Sequence, residues 1–129
     1  MISVIKDADR YLSNANEILE EKAIRDNGQY RDKKYIKMAG HTGCEGVLLA
    51  LDHLIIQQNG IQKKQAQKSE DHYRAFLTMY DKELLSYFSD LYIVLHLKLG
   101  YDGVSDARIV KRGMAMAKEF IEKIAPRLN

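Results

Sequence analysis

The chain has 129 residues, 46% hydrophobic and 29% charged, with 20 basic against 18 acidic side chains and a net charge of +2. That balance is the ordinary globular one and excludes an intrinsically disordered chain; the near-neutral charge excludes a strong global pull toward nucleic acid or an anionic membrane. One proline and eight glycines leave little material for turns, so a few long elements are expected rather than many short strands.

The apolar positions recur at helical spacing from the start. Ile5, Ala8, Leu12, Ala15 and Leu19 make one face of a first helix over about residues 4–25, opposite Lys6, Asp9, Arg10, Asn16 and Glu20. Ser3 is its expected N-cap and Asn27-Gly28 its stop. The second helix is expected from about Asp32 to Gln58 and is the longest. Tyr35, Ala39, Thr42, Gly46, Leu49 and His53 give one stripe, and Gly40, Gly43, Val47, Ala50 and Leu54 another. A helix small or apolar on more than one side belongs in the middle of a bundle. Asn59-Gly60 ends it, and Gln62 to Lys68 reads as a polar, basic connector.

Ser69 caps a third helix, about Glu70 to Met79, with Tyr73, Phe76 and Tyr80 at bundle spacing. Asp81 caps a fourth, whose seam is Leu84, Phe88, Leu91, Leu95 and Leu99, broken at Gly100-Tyr101-Asp102-Gly103. Ser105 is the expected cap of a last helix that turns Ala107, Val110, Met114, Ala117, Ile121 and Ile124 inward and closes at Pro126. No window has the period-two alternation of a half-buried strand, and there is no internal repeat or linker. The expectation is all-α: one domain over residues 1–129, an up-and-down bundle of about five helices with a long central second helix.

Charges interrupt every apolar stretch short of the ~20 residues that span a bilayer. Lys6 and Asp7 stand where a secretory signal needs an apolar run. The single cysteine, Cys44, forms no internal disulfide, which suits a reducing compartment. A cytoplasmic location without membrane contact is expected.

The stretch Tyr35 to Gly46 is the most unusual. Gly40, Gly43 and Gly46 sit inside a strongly helical pattern, where each costs about 1 kcal/mol against alanine. Close approach of a neighbouring helix backbone offsets that cost better than an anion-cradling turn does, because no strand precedes the glycines and the Gly-Lys-Ser/Thr signature is missing. His41, Glu45 and Asp52 fall on one face of this helix, with Lys37 and Tyr35 on the turns before them. This is the candidate polar face. The candidate partner residues are His96, in register with Leu85, Tyr92 and Leu99, and the turn residues Tyr101 and Asp102. Neither a Glu-x-x-His pair nor a His-x-x-x-His pair is present, so no metal and no cofactor is assigned. Cys44, three residues after His41, points about 60° away from it on a helix, so no nucleophile pairs with a histidine and no catalytic residue is assigned. Two basic clusters, Arg31, Lys33, Lys34 and Lys37 with Tyr30 and Tyr35 interleaved, and Lys63, Lys64 and Lys68, are read as solvated surface rather than a nucleic-acid site.

The helix order resembles the HEPN superfamily, the higher-eukaryote and prokaryote nucleotide-binding domains. Asp9-Arg10-Tyr11-Leu12-Ser13-Asn14-Ala15 resembles its first helix, Tyr35 to Asp52 its long central helix, and Leu95-His96 through Gly100-Tyr101-Asp102-Gly103 into Ala107–Ile124 its end. Tyr35-Ile36-Lys37-Met38-Ala39-Gly40-His41-Thr42 with Gly46-Val47-Leu48-Leu49-Ala50-Leu51-Asp52 is similar, more narrowly, to a bacterial family of HEPN-like proteins with no assigned function. Active HEPN ribonucleases carry Arg, four to six residues, then His. The windows before the four histidines are Lys34 to Ile36, Gly46 to Leu48, Gln65 to Gln67 and Ser89 to Leu91, none with an arginine. The resemblance therefore implies a homodimeric module that binds a protein partner or a small polar ligand. The alternative it implies is a divergent ribonuclease or a nucleotide-binding component of a toxin–antitoxin-type system.

Overall fold

The computed structural model describes residues 2–60 and 69–129. The connector from Gln62 to Lys68, with its three lysines, lies outside the described residues. Among the described residues the chain is all-α, with five α-helices and one minimal hairpin.

Helix α1 runs Ile2–Ile18 and ends in a wider, π-type turn over Leu19–Ala23. Ala8, Leu12, Ala15, Leu19 and Ala23 are buried, the face their spacing requires. Ser3 lies inside this helix rather than capping it. The helix stops at Ala23 because Ile24 takes a positive φ of 55°, a conformation that opposes a β-branched side chain. The Asn27-Gly28 pair ends no helix. Both residues have positive φ, 54° and 79°, which is what a two-residue hairpin turn demands. They join β1 (Arg25–Asp26) to β2 (Gln29–Tyr30), an antiparallel pair. Strands of two residues are too short to show any alternation, which is why the sequence pattern missed them.

The hairpin ties the first half of the chain to the last helix. The Tyr30 amide donates to the Ser105 carbonyl at 2.9 Å, and the Ala107 amide donates to the Gly28 carbonyl at 3.0 Å. Asp106, not Ser105, caps α5 (Ala107–Ile124), its carboxylate accepting from the Arg108 amide at 2.9 Å. The Ser105 hydroxyl turns instead to Gln29 Oε1.

Helix α2, Lys33–Asn59, is capped by Asp32 and stopped by Gly60, whose φ is 78°. At 27 residues it is about 40 Å long. It packs on α1, on α5 and on the end of α4, and eleven of its residues are buried. Helix α3 (Glu70–Tyr80) starts at Ser69, whose hydroxyl accepts from the His72 amide. Only Asp81 separates it from α4 (Lys82–Tyr92), and its carboxylate accepts from the Glu83 and Leu84 amides.

Helix α4 does not break at Gly100. It continues in π-type turns over Ile93–Tyr101 and leaves the helix at Asp102, with Gly103 at φ 64°. At Gly40, facing this extension, the space for a side chain is taken. A Cβ on Gly40 would lie 2.6 Å from the Gly100 nitrogen and 2.9 Å from the Leu95 carbonyl oxygen, so α2 and the extension of α4 touch backbone to backbone. On another side of α2, a Cβ on Gly46 would lie 2.8 Å from the Ala8 carbonyl oxygen of α1. Gly43 differs: its nearest neighbour is the flexible Met114 methyl at 3.3 Å.

Candidate functional site

The contact at Gly40 fixes where the next residue points. His41 is exposed, and its ring rests over Gly100, where an added Cβ would stand 3.1 Å from Cε1. From the π-type extension of α4, His96 meets it edge to face, with ring centroids 6.1 Å apart. His96 in turn stacks on Tyr92 at 4.6 Å with the planes 17° apart. Tyr92 leans on Phe88 at 5.6 Å, and Phe88 on Tyr73 and Phe120 at 6.1 and 6.0 Å. A ladder of rings thus runs from the His41 surface to the core and holds His96 against rotation.

These rings border a cleft of about 220 Å³ between α2, the start of α3 and α4, lined by His41, Cys44, Glu45, Leu48, Ser69, Glu70, Tyr73, Tyr92 and His96. Glu45 lies one turn beyond His41 on the same wall. On the facing wall, the Ser69 cap sets the first turn of α3, which brings in Glu70 and Tyr73. Glu70 shares its charge with Arg74 at 3.3 Å, while Arg74 also donates to the Ser89 hydroxyl at 2.8 Å. Glu45 makes no ion pair with any described residue.

The buried acids of the cleft stay protonated. Burial, then the Glu45 carboxylate, pushes the Cys44 thiol up to about 12. Burial raises the Tyr73 phenol, and Asp52 raises it further by its charge and a side-chain hydrogen bond. Tyr92 is raised by burial, with smaller contributions from Cys44 and Glu70. A thiol so held carries no thiolate near neutrality and is no nucleophile.

Of the residues singled out from sequence, the structure brings together His41, Glu45 and His96. Asp52 sits behind Tyr73 rather than on the cleft. Lys37 does not line the cleft; its stem packs beside Gly103. Tyr35 lies under Lys22 and Lys34, at 5.8 and 5.3 Å from their ammonium groups. Tyr101 is 74% exposed and Asp102 is exposed, both away from the cleft. Sequence reasoning placed Ser69, Glu70 and Tyr73 in cap and bundle roles and missed them here. The one available signal was the i, i+4 pair Tyr92 and His96. Among the described residues, no group of three His, Cys, Asp or Glu side chains is set to hold a metal ion. A second cavity of about 460 Å³ lies at the end of α2 against α3, lined by Ile55, Gln58, Asn59, His72, Ala75, Phe76, Met79 and Tyr80.

Fold and cleft together define an all-α helical-bundle protein with a polar, ring-lined cleft of mixed titratable groups. The chain belongs to the family described as a domain of unknown function (DUF5618), whose model matches residues 3–126. It is similar to a solved structure, a protein of unknown function from Dyadobacter fermentans. The two are 42% identical, the match covers 98% of this chain and 97% of that one, and the TM-score is 0.87. No curated protein matches the chain. Among the described residues, no helix is long and apolar enough to cross a membrane.

Proposed function

We propose that this protein is a non-catalytic, HEPN-like binding module of the cytoplasm that works as a homodimer and takes a small polar ligand between His41 and His96. The observation that carries the ligand reading is the convergence of His41, Glu45, Tyr73, Tyr92 and His96, from three helices, on one cleft. His96 stacks on Tyr92 and faces His41 beside an open space, and Glu45 on the same wall has no ion-pair partner among the described residues. The protonated Cys44 and the lack of any arginine separated from a histidine by four to six residues weigh against cleavage chemistry.

Support for the homodimer comes from the other side of α4. Ile93, Leu97 and Tyr101 form an exposed apolar row at four-residue steps. Beside it, a groove of about 390 Å³ between α4 and α5 is lined by Val94, Ile109 and Met116 and rimmed by Asp90, Lys98 and Arg112. A rim that carries both signs allows a second copy to set its Asp90 against Lys98 or Arg112, as a two-fold interface requires. Sedimentation at tens of micromolar is expected to give a dimer, and Leu97→Glu a monomer; a monomeric wild type removes this part of the reading.

The ligand reading is tested by amide chemical-shift mapping against a panel of small polar compounds. Shifts should centre on His41, Glu45, Tyr73, Tyr92 and His96. Shifts centred on the α4–α5 groove, or cleavage of a labelled RNA that His41→Ala and His96→Ala abolish, would sink it.

A further inference from the structure

The charge lining the cleft names a ligand class. Two carboxylates, Glu45 from α2 and Glu70 from α3, line it, and among the described residues no lysine or arginine does. Arg74 on α3 is turned to Glu70 and Ser89, and Glu45 has no ion-pair partner among the described residues. The negative field is felt by the neighbours: Glu45 and Asp52 raise Tyr73, Glu45 raises Cys44, and Glu70 raises Tyr92, each on top of burial. A field that opposes ionisation of an acid favours a bound cation. Among the described residues, an anion such as a phosphate would face both carboxylates with only the imidazoles of His41 and His96 to receive it. The remaining walls, Leu48 and the rings of Tyr73 and Tyr92, suit an apolar or aromatic body and add the attraction of ring faces for positive charge.

We propose that the cleft binds a small organic cation, a protonated amine on a short or aromatic body, with the ammonium held by Glu45 and Glu70 and the body lying against Leu48, Tyr73 and Tyr92. This rests on the ligand-binding reading of the same cleft and adds the sign of the ligand. The ammonium donates to the Glu45 carboxylate, the phenols stay neutral, and no bond is made or broken.

The test uses three compounds of one shape on the full chain by titration calorimetry: tyramine, its neutral alcohol analogue tyrosol, and the anion 4-hydroxyphenylacetate, with agmatine as a cation without the ring. Tyramine or agmatine should bind at least tenfold more tightly than tyrosol, and 4-hydroxyphenylacetate not measurably. Glu45→Gln should weaken the cation about tenfold while leaving the melting temperature of the free protein unchanged, since Glu45 is exposed. Rising salt should weaken binding. Tyrosol or the anion binding as tightly as tyramine, with shifts at His41 and His96, overturns the cation class and leaves the cleft reading intact. Failure of both cations to bind at millimolar concentration to the folded protein also overturns it, and the cleft reading then rests on the shift map alone.

Discussion

Gly40 and His41 are neighbours in the chain and face the same stretch of α4, yet they make opposite kinds of contact. At Gly40 the helix meets the Gly100 nitrogen, the Leu99 Cβ and the Leu95 carbonyl oxygen, 2.6, 2.7 and 2.9 Å from a hypothetical Cβ. One residue on, the His41 and His96 rings hold the surface open over a polar cleft. The difference teaches that the cleft depends on the dry contact beneath it. The glycines set the helix separation, and that separation sets the distance between the two imidazoles.

The sharpest way to break this arrangement is Gly40→Ala. The methyl meets backbone atoms that cannot swing aside, so α2 and α4 must part. We expect a loss of about 3 kcal/mol in denaturant unfolding, together with loss of the His41–His96 contact seen as changed ring shifts. Gly46→Ala, against the Ala8 carbonyl, should cost nearly as much but leave the cleft rings in place.

A smaller effect comes from the joint that sets the facing wall. Asp81 caps α4 and holds Arg127 at 2.7 Å, with both side chains partly exposed. Asp81→Ala should cost about 1–3 kcal/mol by the loss of cap and ion pair together. The hydrogen bond from Arg127 holds the Asp81 carboxyl below its usual range. Its contribution is therefore present above the ordinary carboxylate pKa and lost as pH falls below it. Acid titration of wild type against Asp81→Asn should show the two stabilities converge at low pH; parallel curves would mean the pair contributes nothing.

Gly43→Ala sharpens the comparison from the other side. Its neighbour is a Met114 methyl that can give way, and alanine is the better helix former. The expected change is within about 1 kcal/mol, toward stability. A loss as large as that at Gly40 would mean the three glycines act as one seam after all.

The smallest effect is chemical. Cys44 in the folded protein should react with a thiol-directed alkylating reagent far more slowly at pH 8 than in denaturant, because its thiol is buried and raised to about 12. As a raised acid, it contributes stability that is complete below the ordinary thiol pKa of about 9 and is lost between there and about 12.

Much of the fold was legible because helices announce themselves locally. The seam Leu84, Phe88, Leu91, Leu95 and Leu99 and the inward face of α5 repeat at three- and four-residue steps, and all of those leucines and Phe88 are buried. Asp32, Ser69 and Asp81 cap as oxygen-bearing residues ahead of apolar runs do. Errors came where a signal has two uses. Asn-Gly stops helices and also turns hairpins, and the hydrogen bonds from the hairpin to residues 105–107 decided between them. Those same bonds took Ser105 away from the cap and left it to Asp106.

By itself, then, the sequence determined the all-α class, the central place of α2 and the presence of His41 and Glu45 on one of its faces, because the helical period is a property of the chain alone. Which residues answer them was decided only by tertiary structure. Tyr73 and Glu70 come from a helix that begins beyond a separate connector, and His96 is presented by π-type turns that sequence periodicity does not encode. Asp52 and Lys37 share the helix with His41 but not the cleft: Asp52 meets Tyr73 of α3, and the Lys37 stem lies beside the Gly103 turn. Periodicity fixes direction around an axis; only packing of a second axis against the first makes a site.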